Sequence, residues 1–331
     1  MTVKGTSTVE SNLQKVFEEL EAARKMQDDW MHHGVDFVDL YVENAGGDWL
    51  ERWAKCEEEL EQIKNKQVDI EAVKVAIGLD DFGQTELLET ALSSRCDRPE
   101  EYPAGEDVKQ KRLSLLGGAI FGAVVTDYLY REYPELDCDA ISTLKARLAD
   151  SQKLSEFAEN LKLNELCRGA VSGKATKPSE YNRFLAQIFE ALSGAIYLEF
   201  DRDFLRAGNW LIQQSIEGTI GEHFDLTQQS KSTLLNELKR REILGADILE
   251  AIAIDYLYNR FPDRNSSQLT RWKNLLAAQE IFPKDFKAKL GSHYLELESN
   301  FSRTRDWLVD NFIKTAVDEL EEEIGGSSVD S

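Results

Sequence analysis

Two blocks of this chain occur twice, in the same order and without internal gaps. AIFGAVVTDYLYREYP, Ala119 to Pro134, lies over DILEAIAIDYLYNRFP, Asp247 to Pro262, with Asp-Tyr-Leu-Tyr identical and the closing proline in the same place. GAIYLEFDRDFLRAGNWL, Gly194 to Leu211, lies over GSHYLELESNFSRTRDWL, Gly291 to Leu308, matching in Gly, Tyr-Leu-Glu, Phe, Arg and Trp-Leu. Such an ordered repeat predicts a duplicated domain. The first block carries Asp127 onto Asp255 and the second carries Tyr197 onto Tyr294, a smaller step, so the second copy is shorter between the blocks. What it lacks includes the loop from Arg168 to Tyr181 and much of the helix after it. This matching places copy one at residues 70–214 and copy two at 215–320. Residues 1–69 remain as a separate helical extension, in which Trp30, Phe37, Tyr41, Trp49 and Trp53 are candidates for docking, and 321–331 as an acidic tail.

The fold class follows from periodicity. Apolar residues recur at three and four positions, as in Leu13, Val16, Phe17 and Leu20 or Leu154, Phe157, Ala158 and Leu161, while alternating strand patterns are missing. The expectation is an all-α protein, broken at Asn44 to Gly47, Asp97 to Gly105, Tyr133-Pro134, Gly169 to Pro178, Phe261-Pro262 and Phe282-Pro283. Cys56, Cys96, Cys138 and Cys167 form no CxxC, and His32, His33, His223 and His293 form no HExxH, so no metal and no cofactor are expected from these residue types.

Charge narrows the partners. With 39 Lys+Arg against 61 Asp+Glu the net charge is -22, which disfavours a large unaided nucleic-acid face because the average field repels polyanions. The most apolar run, Leu113 to Val125, is shorter than the roughly 18 residues of a membrane span, so none is expected. The N-terminus lacks an apolar secretory core and is too rich in Glu for an ordinary transit peptide. An intracellular location is expected: cytoplasmic, or organellar if a transit peptide has been removed.

The run KRLSLLGGAIFGAVVTDYLYREYPELDCDAISTLKARLADSQKLSEFAENLKL resembles the signature region of the ribonuclease III family, where a helix opening on NERLEFLGDA leads to an apolar helix and a YLYxxFP stop. Upstream, AIGLDDFGQTELLETALSSRC is similar to that family's first helices. Downstream, FLAQIFEALSGAIYLE is similar to its second signature helix, LADxxEALIGAIYLD. The resemblance covers Ala76 to Leu211 well and Ile220 to Leu308 more faintly. It implies tandem ribonuclease III-like helical domains that pair within one molecule as an intramolecular pseudo-dimer, hence a monomer. Two incomplete copies without a double-stranded-RNA-binding module are similar in architecture to a plant chloroplast splicing factor of this type.

The family's chemistry rests on carboxylates that hold two divalent metals. Aligned on the signature, the three carboxylate positions of the first helix are Lys111, Ser114 and Gly118, and those of the second helix are Gln187 and Glu190. In copy two the same positions fall on Lys239, Glu242, Ala246, Lys284 and Lys287, with Asp247 one residue beyond and turned about 100° away. Glu190 and Glu242 alone remain acidic. The resemblance therefore implies a catalytically incomplete pseudoenzyme with no metal site. Lys109, Lys111, Arg112, Lys239, Arg240, Arg241, Lys284 and Lys287 become the RNA-binding candidates, because several stand where metals would be.

Three functions are compatible with this reading. Ancestry favours a noncatalytic protein assisting RNA processing, splicing or ribosome assembly by binding structured RNA or an RNP. Charge favours a protein–protein scaffold or assembly factor with no RNA contact, acting through residues 1–69 or an exposed apolar patch. A working nuclease ranks last, for want of ligands to activate water.

Overall fold

The computed structural model describes residues 68–93, 106–167, 178–223, 234–278, 282–283 and 285–326. The aromatic candidates of residues 1–67, most of the Arg168 to Tyr181 loop, Lys284 and residues 327–331 lie outside the described residues. The elements are α1 (Ile70–Ile77), α2 (Thr85–Leu92), α3 (Glu106–Glu132), α4 (Cys138–Leu148), α5 (Ser151–Asn160), a short α6 (Leu163–Leu166), α7 (Pro178–Glu199), α8 (Phe204–Leu211), α9 (Glu217–His223), α10 (Leu234–Arg260), α11 (Ser266–Ala278), α12 (Phe286–Glu296), α13 (Phe301–Leu308) and α14 (Lys314–Gly326). There is no strand among the described residues, and the protein is all-α.

The helices end where local chemistry requires it. α3 stops at Glu132 and α10 at Arg260, ahead of Pro134 and Pro262, because the residue before proline is pushed out of the helical region. α7 opens on Pro178, a position where no backbone N–H is needed. Asp137 caps α4 by accepting from the Ala140 N–H at 2.8 Å. Between α7 and α8 the chain reverses through two left-handed residues, Asp201 and Arg202, and Asp203 then caps α8. Between α12 and α13 it does the same through Glu298 and Ser299, with Asn300 as the cap. Both α8 and α13 then widen into a π-helical turn, Ile212–Ile216 and Val309–Ile313. Each of these pairs stands in the register that carries Tyr197 onto Tyr294, so the second repeat block keeps its local conformation as well as its residues.

The core forms where α3 crosses α7 and α10 crosses α12. Gly117 makes the first crossing possible, since a Cβ there would lie 1.8 Å from the Glu190 carbonyl oxygen, and Gly245 the second, 1.9 Å from that of Lys287. Only a residue without a side chain permits backbones this close. Trp210 is buried and donates its indole N–H to the Ile77 carbonyl at 2.9 Å, while Trp307 packs against His293 and Phe312.

α3 and α10 then pack on each other through contacts that run in both directions. The Arg112 guanidinium donates to the carbonyls of Phe261 (2.8 Å), Tyr258 (2.9 Å) and Arg264 at the end of α10. Arg240, its counterpart in the second copy, donates to those of Pro134 (2.8 Å), Tyr130 (2.9 Å) and Tyr133 at the end of α3. Tyr294 lies against Asp127, and Tyr197 against Asp255. Phe204 and Phe301 stack with centroids 4.2 Å apart and planes 8° from parallel. When residue i meets j and the counterpart of j meets the counterpart of i, the contact has the form of a self-complementary face.

The stretch Val108–Glu132 within α3 is long and apolar enough to cross a membrane by length and composition, which the run-length argument missed. Of its apolar window 72% is buried inside the protein, so its apolarity serves internal packing against α7 and α10.

Candidate functional site

At the crossing of α3 with α7 one carboxylate is held by a neutral partner. Ser114 Oγ donates to Glu190 Oε2 at 2.7 Å. Glu190 Oε1 lies over Gly118, 3.3 Å from where a Cβ there would be. Burial pushes the Glu190 carboxyl above its ordinary range, and the Ser114 hydroxyl opposes this only partly. Lys111 stands one turn before Ser114, and Gln187 one turn before Glu190. All five signature positions of copy one therefore line a single cleft of about 580 Å³.

The opposite wall comes from the other copy. Asp247 and Glu250 enter from α10, and Ser266, Ser267 and Thr270 from the first turns of α11. Lys145 of α4 reaches Asp247 Oδ1 at 2.5 Å, and the Thr126 hydroxyl donates to Oδ2. Burial raises the Asp247 carboxyl, with the Lys145 charge pulling the other way. Glu250 takes Lys273 at 2.6 Å. The helical angle of Asp247 set it aside within copy two, but it serves the cleft of copy one. Lys145 and Lys273 hold matching places in the two copies, in the register of Asp127 and Asp255, and that matched pair was the available signal.

None of Lys239, Glu242, Ala246 and Lys287 lines this cleft. Lys239, Glu242 and Lys287 are exposed, Ala246 is half-buried, and Lys284 lies outside the described residues. Two of the RNA-binding candidates are corrected outright: Arg112 and Arg240 are 5% and 4% exposed and give their donors to helix-end carbonyls, so neither presents charge to a phosphate. Arg241 is tied to Glu237 at 3.0 Å and to the Ser292 hydroxyl. Lys109 is exposed, and Lys111 is exposed on the cleft rim.

The family implies a pair of divalent cations, and the donor set here tests that. Asp247 is occupied by Lys145 and Thr126, and no group of three or more His, Cys, Asp or Glu close enough to hold a metal occurs among the described residues. As placed, these residues do not form a two-cation cage.

The all-helical domain around the α3–α7 crossing, with a buried carboxylate beside it, was compared with known proteins. Residues 111–201 match the family described as Ribonuclease III domain. Among curated proteins the chain is 35% identical over 136 residues to Ribonuclease 3 of Chlamydia trachomatis serovar L2, covering 40% of this chain and 56% of that one. It is 29% identical over 159 residues to Ribonuclease 3 of Chlorobium luteolum (48% and 57%) and 32% identical over 161 residues to that of Streptomyces coelicolor (48% and 57%). The chain thus spans little more than half the length of these relatives. Among solved structures, the nuclease domain of ribonuclease III from Campylobacter jejuni aligns at 25% identity and a TM-score of 0.37, covering 45% of this chain and 99% of that one. Over residues 111–201 the chain is thus similar to the ribonuclease III domain.

This overturns one expectation. The reading that the chain is not an enzyme rested on counting carboxylates along two signature helices, whereas the relatives it matches are named Ribonuclease 3. The count also left out acidic groups from elsewhere in the chain, since Asp247 and Glu250 line the same cleft as Glu190.

Proposed function

We propose that this chain binds structured RNA and takes part in its processing, through the face around the Glu190 cleft. The carrying observation is the convergence of Lys111, Ser114, Gly118, Gln187 and Glu190, the positions that define the family's working face, on one cleft closed by α10 and α11. With Arg112 and Arg240 withdrawn, the exposed cations that the signature helices turn toward phosphate are Lys109, Lys111, Lys239 and Lys287. The matched contacts of Arg112 with Arg240, and of Phe204 with Phe301, support reading residues 70–214 and 215–320 as two ribonuclease III-like copies paired within one chain, and the whole as a monomer.

The test is binding of a roughly 20-base-pair RNA duplex at two salt concentrations, with magnesium-dependent cleavage followed on the same RNA. Three or four phosphate contacts give an affinity loss of roughly forty- to a hundred-and-fiftyfold between about 50 and 200 mM salt. Lys111→Glu is expected to weaken binding by about tenfold and to flatten the salt dependence. No binding at low salt refutes the proposal.

A second reading, a protein scaffold, is favoured by one observation. Leu234, Leu235 and Leu238 are 81%, 63% and 48% exposed on the first turns of α10, in a chain of net charge -22. On that reading, replacing the three with Ser leaves RNA affinity unaltered and abolishes association with a protein partner.

A further inference from the structure

One difference between the repeats falls in the Glu190 cleft. In copy two, Glu250 stands on α10 and takes Lys273 of α11. The matching residue of copy one is Gly122, and the counterpart of Lys273 is Lys145. With no carboxylate at 122, Lys145 lies over the glycine, its Cε 3.6 Å from where a Cβ would be, and reaches across to Asp247. Beside Lys145 the cleft is lined by Gly118, Ala119 and Gly122, none of which carries a side chain larger than a methyl.

We infer that this cleft receives one unpaired nucleotide of a bound RNA, extruded from the duplex, and so makes the protein prefer bulged over fully paired RNA. The inference rests on the RNA-binding reading above and deepens it. Its volume, about 580 Å³, lies within the range of small-molecule sites. Its walls mix acceptors with hydroxyl and amide donors, as the edge of a base requires, and Glu190 Oε1 faces it with no hydrogen bond made among the described residues. A paired, stacked base cannot enter such a recess, and an unpaired one is the cheapest to flip out. Each nucleobase carries an N–H on its Watson–Crick edge that a carboxylate oxygen accepts. In copy two the position of Gly122 is held by Glu250, which takes Lys273 at 2.6 Å.

The experiment compares a fully paired RNA duplex with the same duplex carrying one unpaired guanosine, by fluorescence anisotropy with EDTA present to prevent cleavage. The bulged duplex is expected to bind about tenfold tighter, the equivalent of one or two net hydrogen bonds. Gly122→Glu, which copies the other repeat, and Gly122→Leu, which fills the space without charge, are expected to bring the ratio to about one, with helicity checked by circular dichroism. Independently of any variant, the unpaired guanine is expected to become protected from glyoxal, which attacks its N1 and N2. Equal binding of the two RNAs, an unprotected guanine, or a ratio that survives both substitutions in folded protein overturns this inference alone. Absence of binding to both RNAs overturns the proposed function and this inference with it.

Discussion

A single methyl group separates the native crossing from one that cannot form. Gly117→Ala puts a carbon 1.8 Å from the Glu190 carbonyl oxygen and Gly245→Ala one 1.9 Å from that of Lys287, and neither backbone has a flexible end that can yield. Each substitution is expected to cost about 3 kcal/mol or more in a urea titration. Gly118→Ala, whose new carbon meets only the movable Glu190 carboxylate at 3.3 Å, is expected to cost under about 1 kcal/mol. Glu190 itself makes a pH prediction. Its carboxyl is raised in the folded protein, so it releases its proton at higher pH there than in the unfolded chain. Its contribution to stability is fully present below the unfolded carboxylate pKa and is lost as pH rises through the folded value. Glu190→Gln removes that loss while its amide oxygen can still accept from Ser114. The melting temperature of the variant relative to the parent is therefore expected to climb between pH 4 and pH 7, and a difference that is flat or falls with pH contradicts the assignment.

The long helices α3 and α10 depend on each other for their ends. The last carbonyls of a helix have no partner within it, and here they are met by a guanidinium from the facing helix, Arg112 for α10 and Arg240 for α3. Arg112→Met or Arg240→Met leaves two or more buried carbonyls unsatisfied and is expected to destabilise by about 3 kcal/mol in chemical denaturation. Arg→Lys at either site is not expected to rescue, since one ammonium cannot reach carbonyls that a planar fork bridges. Recovery of full stability by Lys would mean that charge alone matters at these helix ends.

At the scale of the molecule, the proposed pairing of two copies within one chain uses up the self-complementary face. Light scattering at micromolar concentration is expected to give a mass near the 37.6 kDa of one chain, and twice that mass would show the face exchanging between molecules. Net charge acts at this scale too. An acidic protein that binds RNA through a few placed lysines is expected to show a salt dependence set by that small number of phosphate contacts.

The all-helical class, the helix ends at Pro134 and Pro262 and the repeat were legible in the sequence. They depend on near neighbours: torsions fixed by proline, caps three residues away, and apolar spacing along one helix. The membership of the cleft was not legible, and neither was the fate of its arginines. Asp247 and Glu190 belong to different copies, and Lys145 reaches Asp247 from a helix far back along the chain. Arg112 and Arg240 read as solvated cations until the packing of α3 on α10 buries them. Pattern along a chain specifies which residues share a helix face. Which faces meet, and so which carboxylates, amines and carbonyls are brought within bonding distance, is decided by the packing of elements that lie far apart in sequence.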